Sequence, residues 1–129
     1  MECYFSGTGD MFAALMLVRL REAVSKIPGL GQTAAWLSPD EVDEVDLPLA
    51  KAAERVLASM QEVLARTKKS RDEELERFQR KGAGVEDSGS YDEEKEMHLR
   101  QTKAAEVRLV RNLDCLRNPQ LMFQAEKVD

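Results

Sequence analysis

The chain has 129 residues, which suffices for one modest domain, and 33% of them are charged whereas only 5% are aromatic. The formal net charge of −5 argues against a nucleic-acid-binding surface, which would be basic and clustered. The longest fully apolar run, Met11–Val18, is far shorter than a membrane span, and no signal-peptide pattern opens the chain. We therefore expect neither a nucleic-acid partner nor a membrane partner.

A glycine-rich turn near the N-terminus organises the rest of the chain. Ser6 and Gly7-Thr8-Gly9-Asp10 follow a short apolar lead and precede a strongly apolar segment. Gly7 and Gly9 can adopt positive φ angles and lack a side chain that would block a ligand. Backbone N–H groups of such a turn, and those at the start of a following helix, together suit a phosphate group.

Two side chains of this turn add chemistry to the predicted anion site. The Thr8 hydroxyl can donate to a phosphate oxygen, and Asp10 is placed to accept the proton of an attacking hydroxyl. The alternative is that Asp10 simply caps the helix after a glycine-rich turn. The turn is neither a Walker loop, because no Gly-Lys-Ser/Thr follows, nor a dinucleotide fingerprint, because the third glycine is missing.

The first helix is predicted from about Asp10 to Lys26, and Pro28 with the glycines after it ends it. Its first half is apolar on nearly all sides, so we expect it to be covered on all sides. Residues 32–46 form a predicted loop, in which Ser38-Pro39 would open one helical turn. The loop carries five acids, which favour a solvated loop over a cation site because EF-hand spacing is absent: Asp40, Glu41, Asp43, Glu44 and Asp46.

A second helix is predicted from Leu47-Pro48, with Asp46 as its cap and an apolar stripe between Leu49 and Leu64. We expect it to continue to Arg80 as a projecting, solvated extension. Residues 81–91 are rich in glycine and serine and predict a flexible linker. A short helix is then expected over residues 92–104.

Strands are predicted at both ends of the chain. Tyr4-Phe5 would end a strand or lead into the turn, and residues 107–110 alternate as a half-buried strand does. Asn118-Pro119 marks a turn, after which residues 121–128 suggest a last short strand. Cys3 and Cys115, with His98 as the single histidine, form no zinc pattern, so we expect reduced thiols in a cytoplasmic protein and a solvated histidine.

The turn and its helix resemble a known signature. Gly7-Thr8-Gly9-Asp10 followed by Met11–Leu15 is similar to the C-terminal signature of the ribokinase-like kinases of sugars and vitamins, pyridoxal kinases above all. Residues 106–110, 118–119 and 123–125 resemble the last strands of pyridoxal kinases. The resemblance covers about residues 4–20 and 105–128, whereas residues 68–98 look like a charged, flexible insertion.

The resemblance implies an α/β fold, in which residues 1–129 would form the C-terminal part of a three-layer ribokinase-like domain. Such a domain has a parallel sheet with helices on both faces, and this part would be mostly helical with a few short strands. The implied reaction transfers the γ-phosphate of ATP to the 5′-hydroxymethyl group of pyridoxal and gives pyridoxal 5′-phosphate. Asp10 would be the catalytic base, and Gly7, Thr8 and Gly9 would form the anion hole for the ATP phosphates.

Further expectations follow from the same resemblance. Gly9 and Asp10 would contact pyridoxal, and Mg²⁺ would bridge the nucleotide phosphates without a protein ligand from this chain. The full-length enzyme would be a homodimer. Pyridoxal kinases are considerably longer, so we expect a C-terminal portion that is inactive alone. Two alternatives stay open: another ribokinase-like sugar or nucleoside kinase, and a non-catalytic helical interaction module.

Overall fold

The computed structural model describes residues 5–82, 90–104 and 109–128. Within these ranges the chain forms helices and connecting segments, with no strand beyond an isolated β-bridge residue at Ser6. The α-helices are α1 (Thr8–Ser25), α2 (Pro48–Gly82), α3 (Ser90–Ala104) and α4 (Leu113–Arg117). Three short 3₁₀ helices span Leu30–Gln32, Glu44–Asp46 and Val110–Asn112.

The predicted α/β fold is wrong, because the described residues form a helical protein without a sheet. Of the strand expected over residues 107–110, Leu109 is the N-cap of a 3₁₀ helix and Val110 lies in that helix. Residues 107–108 of that strand, and Tyr4 of the expected N-terminal strand, lie outside the described residues. Residues 121–128 run without helix or strand structure. The backbone N–H of Ala125 donates to the Glu54 carboxylate, 2.7 Å away, so a side chain takes the place that a neighbouring strand would have.

Helices α1 and α2 form an antiparallel pair around the core. Met11 near the start of α1 packs with Val63 of α2 and with Cys115, and the three are almost completely buried. At the other end of α1, Glu22 lies 3.8 Å from the Arg55 guanidinium of α2. The prediction of the first helix is confirmed, since α1 spans Thr8–Ser25.

Helix α2 has two halves with different surroundings. Its first half packs on α1 and α4 and buries Ala52, Val56, Val63 and Thr67. The predicted continuation of its second half is confirmed and runs two residues past Arg80, to Gly82, where the helix contacts α3 rather than projecting alone. The short helix expected over residues 92–104 is confirmed as α3, which begins two residues earlier.

Short α4 is fixed to both long helices by polar contacts. The buried Arg19 guanidinium of α1 donates to the carbonyl oxygens of Leu116 and, at 3.0 Å, Arg117. From α2, the Ser59 hydroxyl donates to the Cys115 carbonyl oxygen at 2.9 Å. These bonds satisfy carbonyl groups at the end of α4 that have no helical partner, and thereby fix its position.

The loop between α1 and α2 differs from its prediction in detail. A single turn does follow Ser38-Pro39, since the Val42 N–H donates to the Pro39 carbonyl oxygen at 3.2 Å. A further 3₁₀ turn lies at Glu44–Asp46, where the Asp43 carboxylate accepts from the Val45 N–H. Asp46 does not cap α2. The first helical hydrogen bond of α2 runs from the Lys51 N–H to the Leu47 carbonyl oxygen, and Asp46 instead lies 3.5 Å from the Lys51 ammonium.

Candidate phosphate-binding turn and general base

The glycine turn leads directly into α1. Gly7 is the N-cap, with a left-handed backbone conformation of φ 84° and ψ 4°. Its carbonyl oxygen accepts the first helical hydrogen bond, from the Met11 N–H at 3.1 Å. A Cβ atom at Gly7 would meet no other atom within 4 Å. Backbone conformation, rather than crowding, therefore calls for glycine at this position.

Three N–H groups at the start of α1 precede the first helical donor. They belong to Thr8, Gly9 and Asp10, and no side chain caps this helix end. They carry the positive end of the helix dipole. A Cβ atom at Gly9 would also meet nothing within 4 Å, so the space beside the turn is open. This arrangement can hold one phosphate oxygen or a carboxylate.

Asp10 lies in the first turn of α1, three residues after the N-cap. The alternative that Asp10 is the N-cap of the helix is therefore wrong, because Gly7 occupies the N-cap position. Its side chain is exposed and makes no ion pair with a described residue. An exposed carboxylate beside an anion site can accept a proton from a hydroxyl that is brought within hydrogen-bonding distance.

Apolar side chains next to the turn remain uncovered. Phe12, Leu17 and Val18 of α1 are 42%, 70% and 54% exposed, and Ala13 and Ala14 are exposed as well. The expectation that α1 is covered on all sides is not met by the described residues, which bury the side that carries Met11. We call Phe12, Ala13, Ala14, Leu17 and Val18 the open face of α1.

Contacts and burial shift the pKa of groups on α4 and in the loop that meets the C-terminal segment. The Arg66 guanidinium, 2.9 Å away, lowers the pKa of the Asp114 carboxyl on α4. Burial raises the pKa of the Cys115 thiol to about 11. Lys127 lowers the pKa of the Glu44 carboxyl through a contact of 2.9 Å. These groups stabilise α4 and the C-terminal segment and lie outside the glycine turn.

Two acidic residues of the loop form ion pairs with lysines of the same chain. Glu44 pairs with Lys127 and Asp46 pairs with Lys51. Across the described ranges, no three histidine, cysteine or acidic side chains lie close enough to hold a metal ion. None of the described helices has the length and apolar character needed to cross a membrane.

Some structural residues were not singled out by sequence reasoning. Arg19 and Glu54 are charged and nearly buried, and they hold α4 and the C-terminal segment to the helix pair. The four-residue spacing of Met11, Leu15 and Arg19 places the arginine on the packed side of α1, which was a usable signal. For Glu54 the sequence holds no such signal, because its partner is a backbone group 71 residues away.

Comparison of the chain with protein-family models, with curated proteins and with solved structures finds no match.

Proposed function

We propose that this chain supplies the phosphate-binding turn and the general base of an ATP-dependent pyridoxal kinase. Gly7, Thr8 and Gly9 would hold the transferring phosphoryl group of ATP, and Gly9 and Asp10 would contact pyridoxal. Asp10 would accept the proton of the 5′-hydroxymethyl group as its oxygen attacks the γ-phosphorus. Magnesium bound to the nucleotide would offset the phosphate charge.

One observation carries the proposal: a left-handed Gly7 directly precedes α1, and Asp10 stands in the first turn of that helix. The turn thereby presents free N–H groups and a carboxylate on the same helix end, which is what phosphoryl transfer to a hydroxyl requires. The proposal rests on this local geometry and on the resemblance of residues 7–15. It does not rest on a parallel sheet, which the described residues do not form.

The open face of α1 supports a second part of the proposal. Large apolar side chains rarely stay uncovered as a contiguous patch without a partner surface. This face begins two residues after Asp10, so polypeptide that covered it would also approach the turn. We infer that the binding residues for pyridoxal and for the nucleotide base come from such additional polypeptide, in a cytoplasmic, homodimeric enzyme.

The open face also favours a second candidate, a helical interaction module without catalytic activity. In that case the face would bind another protein. Asp10 would only stabilise α1, through the attraction between its carboxylate and the positive end of the helix dipole. Replacement of Asp10 would then cost about 1 kcal/mol of stability or less. A sugar or nucleoside kinase is the third candidate, and substrate comparison separates it from a pyridoxal kinase.

A chimeric enzyme tests the proposed function. A pyridoxal kinase truncated before its own glycine turn would be joined to this chain from Phe5 onward and assayed with ATP, Mg²⁺ and pyridoxal. The proposal predicts that phosphorylation of pyridoxal is restored, whereas the truncated kinase and this chain by themselves show none. A folded chimera that phosphorylates a sugar or a nucleoside but not pyridoxal would contradict the assignment.

A further inference from the structure

The second half of α2 and the end of α3 enclose a cavity that the proposed function does not use. Its volume is about 350 Å³, within the range of small-molecule sites. We call it the hairpin pocket, and its lining is Glu74, Leu75, Arg77, Phe78, Lys81, Arg100 and Lys103. The pocket is separate from the glycine turn, because none of the residues 7–10 contributes to it.

Charge in the hairpin pocket is opposite to that of the whole chain. Four cationic side chains and one carboxylate line it, whereas the chain carries a formal net charge of −5. Among the ion pairs of the described residues, none involves Arg77, Lys81 or Lys103. A concave surface with an excess of positive charge attracts small anions.

One of the four cations, Arg100, is 52% exposed and contacts two other residues of the hairpin. The Arg100 guanidinium carbon lies 4.2 Å from the centre of the Phe78 ring. Its Nη2 and Nε atoms donate to one Glu96 oxygen, at 2.7 Å and 3.3 Å. Stacking on one side and hydrogen bonding on another restrict the rotamers of Arg100. Less conformational entropy is then lost when a ligand binds to it.

The chemistry of the lining defines the ligand class. Guanidinium groups match the oxygen geometry of phosphate, and two lysines add point charges. Leu75 and Phe78 are half-buried and provide an apolar wall. We propose that the hairpin pocket binds a small soluble phosphate monoester with an apolar or aromatic group. This inference goes beyond the proposed function and does not depend on it.

Phenyl phosphate is a suitable probe, titrated into the full chain at constant ionic strength. Nuclear magnetic resonance would follow the backbone amides of residues 74–81 and 99–103 and the Nε–Hε groups of Arg77 and Arg100. We expect saturable shifts at these positions with a dissociation constant in the millimolar range. Shifts at Thr8, Gly9 and Asp10 would report the glycine turn separately.

Two neighbouring arginines provide a matched pair of variants. Arg77 lines the pocket, whereas Arg80 is 82% exposed, points toward Glu76 at 3.9 Å and does not line it. Arg77→Gln should weaken binding of phenyl phosphate in the pocket by about ten-fold. Arg80→Gln removes the same charge and should change the affinity by less than about two-fold. Circular dichroism would verify that both variants keep their helix content.

Several results would overturn the inference. Equal weakening by the two variants would mean that only the overall charge of the hairpin matters. Shifts that rise linearly through the millimolar range would mean that no site exists. Binding to vesicles of phosphatidic acid, without saturable binding of phenyl phosphate, would assign the cations to a lipid surface instead.

Discussion

Gly7 and Gly9 occupy the same turn but have different backbone requirements. Gly7 has a φ of +84°, whereas Gly9 lies within α1, and a Cβ atom would meet nothing within 4 Å at either position. Gly7→Ala should therefore destabilise the chain by about 1–2 kcal/mol through backbone strain alone. Gly9→Ala should stabilise it by up to about 0.5–1 kcal/mol, because alanine favours a helix over glycine.

Urea unfolding of the two glycine variants measures both effects. Opposite signs would support the left-handed turn, and an unchanged or raised stability of Gly7→Ala would contradict it. In a chimera, Gly9→Ala tests the space that a ligand would need beside the turn, since the added Cβ meets no other atom of this chain within 4 Å.

Arg19 is the residue that most directly connects α1 to α4. Its buried guanidinium donates hydrogen bonds to two carbonyl oxygens at the end of α4 and forms an ion pair with Glu22 at 2.8 Å. Arg19→Met keeps much of the side-chain volume but removes these donors, so we expect a loss of about 2–3 kcal/mol. Thermal or urea unfolding would measure it.

Arg21 provides the control for Arg19 on the same helix. It is exposed and lies 5.9 Å from the centre of the Trp36 ring. Arg21→Met should cost less than about 1 kcal/mol, as an exposed cation–π contact does. Comparable losses for the two variants would mean that α4 is not held by the Arg19 hydrogen bonds.

At the scale of elements, the long helices were predictable and the ends of the chain were not. Local periodicity and the Pro28-Gly29 break define α1, and an apolar stripe followed by an uninterrupted run of helix-forming residues defines α2. Alternation up to Val110 and the apolar residues from Leu121 onward predicted strands, but a strand needs a partner, and pairing is not encoded locally. The bond from Ala125 to Glu54 could not be foreseen for the same reason.

A charge placed on the open face of α1 tests whether additional polypeptide covers this helix. Leu17 is 70% exposed, so Leu17→Glu should change the stability of this chain alone by less than about 0.5 kcal/mol. In the chimeric kinase the same substitution should abolish activity or folding, because a charge would be buried against the covering polypeptide. Unfolding of the isolated chain and the kinase assay of the chimera are the two measurements.

Leu99 of α3 is the matched control for Leu17. It is 59% exposed and lies between the two parts of the chain that the resemblance covers. Leu99→Glu should leave both the isolated chain and the chimera nearly unchanged. Tolerance of Leu17→Glu in an active chimera would show that the open face stays in solvent, and would remove one support of the proposed function.

In the whole molecule α1 packs antiparallel on the first half of α2, so the glycine turn lies beside the middle of α2 and the charged hairpin extends beyond it. The turn and its position before α1 were predictable, because glycine and aspartate act through local conformation and the helix terminus. The parallel sheet was expected from the resemblance and is wrong for the described residues. The hairpin pocket was not foreseen, although the spacing of Glu96 and Arg100 predicts their contact.

Asp10 is the proposed general base, and the turnover number of the chimeric kinase measures its contribution. Asp10→Asn keeps the shape of the side chain but removes its capacity to accept a proton. We expect kcat for pyridoxal to fall about 10²- to 10⁴-fold with an unchanged fold, whereas Asp40→Asn in the acidic loop leaves it unchanged. An Asp10→Asn chimera with nearly full kcat would contradict the account and favour the interaction module.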